Sequence, residues 1–93
     1  MIIEVDKINK DRFKVTLNCK TKTEHHVLLT DFLHVKLTKK KVSKKELIVF
    51  SFEFLLKMES NTSILSEFDL SEISKYFPIF YKDIECWCSN MES

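Results

Sequence analysis

Cys86-Trp87-Cys88 near the C-terminus, with Cys19 and the adjacent His25 and His26, offers the thiolate and imidazole ligands from which small zinc sites are built. Structural zinc sites usually pair one C-x₂₋₄-C with a second spaced pair, and a single C-x-C falls short of that. His25 and His26 would also face opposite ways on a strand. The expected state is thiols with no bound metal or cofactor, and Cys86, Cys88, His25 and His26 are the ligands to check. The same histidines and His34 are the side chains able to act as a general base near neutrality. No acid pair, serine–histidine arrangement or activated cysteine lies at a spacing that would use one, so no catalytic residue is assigned. Glycine is absent altogether. That removes the Walker P-loop, the dinucleotide fingerprint and the nucleophile elbow, which need it for positive φ or close backbone approach. The balance leans away from an enzyme.

A second chemistry is phosphate contact. Lys36, Lys39, Lys40, Lys41, Lys44 and Lys45 form the one charge cluster in a chain whose net charge is only +1. Nucleic-acid binding through the Lys36 to Lys45 segment is accordingly the alternative function. Against it, sequence readout favours arginines and amides; the chain has one arginine, and the segment Leu70 to Phe77 carries a single cation, Lys75. A third group, Tyr76, Tyr81 and Trp87, suits protein contact, because aromatics with a polar handle are enriched at interfaces. High aromatic content without site chemistry makes a non-catalytic protein-interaction or regulatory module the leading expectation. Its partner would be another protein or a second copy of this chain, bound through that aromatic surface or an exposed sheet edge.

These residues must be positioned by a small scaffold. The strongest local signal is Leu47 to Met58, LIVFSFEFLLKM. At about 100° per residue, Glu46, Glu53 and Lys57 fall within roughly 40° of one another, and the apolar residues occupy most of the remaining circumference. Ser51 is the one small gap. Such an arc implies burial from at least two sides, and the run is short of the roughly 20 residues that span a bilayer. Ser43 and Glu46 read as a capping box at its start.

Upstream, Arg12 to Cys19 alternates, with Phe13, Val15, Leu17 and Cys19 on one face. Ile3 and Val5 repeat the pattern, and Thr23 to Leu29 is a third candidate strand. Asn9-Lys10-Asp11 and Lys20-Thr21-Lys22 have turn composition. Thr30 or Asp31 caps a short helix carrying Phe32, Leu33, Val35 and Leu37. Ser60 to Ser63 breaks the main helix and leads to a helix at Ile64, Leu65 and Phe68. Asp69 and Glu72 form a further capping box before Ile73, Tyr76 and Phe77, and Pro78 stops that helix. Strands followed by helices predict an α+β fold: an N-terminal three-stranded antiparallel meander packed on a central apolar helix with short C-terminal helices.

The 93 residues, 44% hydrophobic and 31% charged, predict one domain. Strands occupy about 1–29 and helices about 31–85, with a polar tail over 89–93. A start without a basic, apolar leader and an odd number of cysteines predict a cytoplasmic protein. A second copy of the chain is expected to cover the central helix if its own C-terminal helices are too short. The stretch Ser51 to Phe80, with S-F-x-F-L-L followed by S-I-L-x-x-F-x-L-x-x-I-x-x-Y-F-P, resembles a segment of small bacterial proteins of unassigned function. The resemblance covers about a third of the chain and implies a packing pattern, with no activity attached.

Overall fold

The alternating apolar residues of the first third form three antiparallel strands: β1 (Ile3–Lys7), β2 (Arg12–Asn18) and β3 (Lys22–Leu28). Their register sets Val5 opposite Val15 and Phe13 opposite Val27, so one face of the sheet is continuously apolar. The first turn works without glycine because the Asn9 side chain substitutes for a backbone bond. Its Oδ1 accepts from the amides of Asp11 and Arg12 at 3.0 and 2.9 Å. Thr16 departs from the wet-and-dry alternation, being 7% exposed on the outer face. The computed structural model describes residues 2–90.

The sheet is not the three-stranded meander read from the sequence. A fourth strand, β4 (Glu67–Asp69), adds parallel to β3, giving a mixed sheet in the order β1-β2-β3-β4. The segment expected to start a helix at Ile64 is extended instead, after one 3₁₀ turn at Asn61–Ser63. The physical reason is tertiary. The amide of His26 donates to Ser66 O at 2.7 Å, and the His25 ring bonds Leu65 O, so the open edge of β3 captures the segment. Weak local preference yields to ladder bonds that a lone segment cannot make.

Among the described residues four α-helices complete the α+β fold: α1 (Asp31–Thr38), α2 (Lys44–Met58), α3 (Ile73–Tyr76) and α4 (Phe80–Asn90). The α2 capping box forms as expected, with Glu46 N donating to Ser43 Oγ at 3.1 Å and Ser43 N to Glu46 Oε1 at 3.0 Å. Asp69 and Glu72 make the second box, though it caps a 3₁₀ turn ahead of the short α3. Helix α4 reaches Asn90, so Ser89 and Asn90 are helical rather than tail, and the rest of the expected tail lies outside the described residues.

Helix α2 is clasped from two sides. Phe52 faces the sheet, 5.6 Å from the His25 ring and 5.9 Å from Phe68. Phe54, two residues on and so about 200° round the helix, meets Phe77 at 5.9 Å and Phe80 at 5.1 Å. Phe50 stacks on Trp87 at 4.3 Å. The chain's own C-terminal helices therefore finish the cover, and the core requires no second copy. Ser51 is no defect in this packing, because its hydroxyl donates to Leu47 O at 2.7 Å. Two expected core residues lie outside: Met58 is 47% exposed and Leu65 49% exposed.

Helix α1 sits in a different phase from its apolar pattern. Leu33, His34 and Thr38 point inward, whereas Phe32 and Val35 are exposed. His34 is accommodated because its Nε2 donates to Val42 O at 2.6 Å, and Thr38 Oγ1 donates to His34 O at 2.8 Å. In a chain without glycine, the exit from α1 puts Lys39 and Lys40 in the left-handed region at φ 54° and 62°. A residue bearing Cβ pays about 1 kcal/mol there; the Lys39 amide's bond to Val35 O and the Lys40 amide's bond to Thr38 Oγ1 offset part of it.

Candidate functional site

Two concavities lie at opposite ends of α2, whose 15 residues make it roughly 22 Å long at the standard rise. At its C-terminal end is a cleft of about 370 Å³ whose apolar wall is Leu55, Ile64, Leu65, Phe68, Ile73 and Phe77. Glu59, Glu72 and Ser63 supply its polar atoms, and Tyr76 stands at the mouth, 67% exposed. Extension of residues 64–66 builds one side and the short α3 the other. Of the three aromatics singled out in the sequence, only Tyr76 belongs to this cleft. Tyr81 packs beside Phe80 with ring centroids 6.0 Å apart, and Trp87 is committed to Phe50, so the three do not form one surface.

At the N-terminal end of α2 is a broader groove of about 800 Å³ floored by Val5, Phe13, His34 and Val42. Lys40, Lys41, Lys44 and Lys45 line it, joined by Lys7 and Lys10 from the β1–β2 hairpin. Lys39 lies on the adjoining left-handed turn. Lys44, expected as a phosphate contact, is mainly a structural cation: its side chain is only 13% exposed and its Nζ sits 2.7 Å from Asp31 Oδ1 and 3.1 Å from Asp11 Oδ1. Lys10 holds the second Asp31 oxygen at 2.9 Å. This cluster ties the first hairpin, the start of α1 and the start of α2 together. No sequence signal pointed to Lys7 or Lys10, because a hairpin turn and a loop over 30 residues on become neighbours only through folding.

Hydrogen bonding from Lys44, then from Lys10, pulls the Asp31 carboxyl from 3.8 down to about 2. A depressed carboxylate stabilises the fold above its ordinary value and stops doing so as pH falls through its folded value. The contribution from Asp31 is expected to be complete above about pH 5 and to disappear between about pH 4 and 2. Melting temperatures across that window check this: the wild type should fall more steeply than Asp31→Asn, and parallel curves would refute the assignment.

No known family, curated protein or solved structure matches this chain. The sites therefore stand on their geometry. The zinc candidates are dispersed: His25 is 2% exposed on the inner sheet face and His26 is exposed on the outer face, as strand alternation anticipated. Cys86 is exposed and Cys88 buried, since residues two apart lie about 200° apart on a helix. Among the described residues no three His, Cys, Asp or Glu side chains converge as a metal set. No helix among them is long and apolar enough to cross a membrane.

His25 belongs to a closed polar network. Asn61 Nδ2 donates to Thr21 O and to Thr23 Oγ1 at 2.6 and 3.0 Å; Thr23 Oγ1 lies 2.9 Å from His25 Nε2; His25 Nδ1 lies 2.7 Å from Leu65 O. Every donor finds an acceptor if the neutral ring carries its proton on Nδ1, and this leaves no nitrogen for a substrate. The open edge of β1 also has a defined character. Asn18 N bonds Ile2 O and Ile8 N bonds Arg12 O, so the even residues face β2 and the backbone groups of Ile3, Val5 and Lys7 face outward. An antiparallel second copy using those groups with full overlap would set Glu4 or Asp6 against Glu4 or Asp6. Like charges directly opposite oppose such pairing.

Proposed function

We propose that the protein is a small cytoplasmic, non-catalytic interaction module and that the cleft at Tyr76 is its docking site. The observation that carries this reading is the pairing of an apolar wall with a polar rim. Leu65 and Tyr76 expose large apolar area at the mouth, beside the carboxylates Glu59 and Glu72. Few monomeric folds leave such residues together without use. The charge at the rim suits a partner segment that presents one or two apolar side chains followed by a lysine or arginine. A cleft of this size takes anchors rather than a whole helix face, consistent with a transient contact.

The test is capture from the native host with wild type, Leu65→Asp and Glu59→Lys. A partner with a basic, apolar segment that the wild type retains and both variants lose supports the reading. Equal retention by all three places docking elsewhere. Self-association of the wild type that Leu65→Asp abolishes would replace the foreign partner with a second copy.

A further inference from the structure

We infer that the basic groove at the N-terminal end of α2 is a separate site, and that it binds the backbone of a single-stranded nucleic acid. Six lysines against one aspartate line it, in a chain of net charge +1, so the rest of the surface is net acidic and the cations are concentrated here. Asp31 and Asp11 already engage Lys10 and Lys44. Positive charge beyond these pairs includes Lys7 on one wall and Lys40 and Lys45 on the other.

Shape selects the strand. A duplex is read by a helix or ribbon that protrudes into its major groove, whereas these cations line a concavity with an apolar floor, which suits one backbone with its phosphates between two basic walls. Beside Asp31 on α1, Phe32 is 75% exposed, too exposed to be a core residue and placed where a base can stack. The outward side of α1 continues with exposed Lys36, one turn on, and exposed Lys39 follows at the left-handed end of the helix, which extends the basic track past the aromatic ring. An acidic peptide would use the lysines but bring no base to stack on Phe32, and an anionic membrane would leave the groove floor unfilled.

Anisotropy of a labelled oligothymidylate of roughly 10 nucleotides, within the usual range of single-strand site sizes, tests this directly. Three to four phosphate contacts give a salt slope near −0.7 each, so raising salt fourfold should weaken binding roughly 15- to 50-fold. Lys40→Gln and Lys45→Gln should each weaken binding and flatten that slope. Phe32→Ala should weaken it about fivefold or more with the slope unchanged. Lys57→Gln, at the far end of α2, should change neither, and unaltered far-UV circular dichroism confirms that each variant is folded. No binding at low salt, or tighter binding of polyglutamate or of phosphatidylserine vesicles than of the oligonucleotide, overturns the proposal. So does a Phe32→Ala protein that binds like the wild type.

Discussion

Phe52→Ala is expected to remove about 3–5 kcal/mol of folding stability, the usual cost of deleting a fully buried phenylalanine. A domain of this length has roughly 5–14 kcal/mol in total, so the loss is a large share of it and the variant should unfold at a markedly lower urea concentration. The size follows from position. Phe52 is 0% exposed and touches the sheet through His25 and Phe68 while its own helix is held from behind by Phe54, Phe77 and Phe80. Neither layer is free to collapse into the hole, and a cavity that cannot relax is the costly kind. Urea unfolding followed by far-UV circular dichroism and by Trp87 fluorescence measures it twice, because Trp87 stacks on Phe50 and reports α4 leaving α2. Coincident midpoints are expected for a single cooperative unit. Phe32→Ala is the control, expected to stay within about 0.5 kcal/mol as an exposed site. A loss below about 1.5 kcal/mol for Phe52→Ala would mean that α2 is not clasped in this way.

The second large effect is expected at His25. Substitution by leucine keeps volume but takes the ring donor from Leu65 O and the ring acceptor from the Thr23 hydroxyl, both part-buried beside β3, at about 1–3 kcal/mol. The network is also what holds the residues before β4 against the β3 edge, so the loss should not be confined to the ring. Hydrogen exchange at the amides of His26 and Phe68 should quicken more than at Val15, in the sheet centre. Asn61→Ala should produce the same regional pattern more weakly, and the double variant should cost less than the sum, since the two residues share Thr23. Strictly additive losses would show that the hydrogen bonds act independently.

The cleft beside Tyr76 and β4 arise from the same event. Residues 64–66 carry no pattern that distinguishes an extended segment from a short helix, and the Ile64, Leu65 and Phe68 spacing favours the helix. The edge of β3 and the His25 network decide otherwise, and Leu65 is thereby turned out to the mouth of the cleft. The lysines tell a similar story. Their concentration between Lys36 and Lys45 was legible, but folding makes Lys44 a largely covered structural cation within an otherwise open groove, and recruits Lys7 and Lys10 from 30 or more residues away. Phe32 was legible only as one of the apolar residues of a short helix; the helix turns Leu33, His34 and Thr38 inward, with His34 and Thr38 hydrogen-bonded there, and leaves Phe32 outside.

What the sequence determined by itself was whatever depends on neighbours in the chain: the alternation of β1 and β2, the Asn9 turn, the capping boxes at Ser43 and Asp69, the two-sided burial of α2, and the absence of glycine-dependent site chemistry. Periodicity and side-chain-to-backbone hydrogen bonds act over a few residues and are therefore written locally. Only the tertiary structure decided which residues meet across the fold. Strand pairing, the partners of a buried histidine and the convergence of charges depend on contacts whose closure no local propensity encodes. That is why β4, the Tyr76 cleft and the two-walled basic groove emerge with the assembled chain.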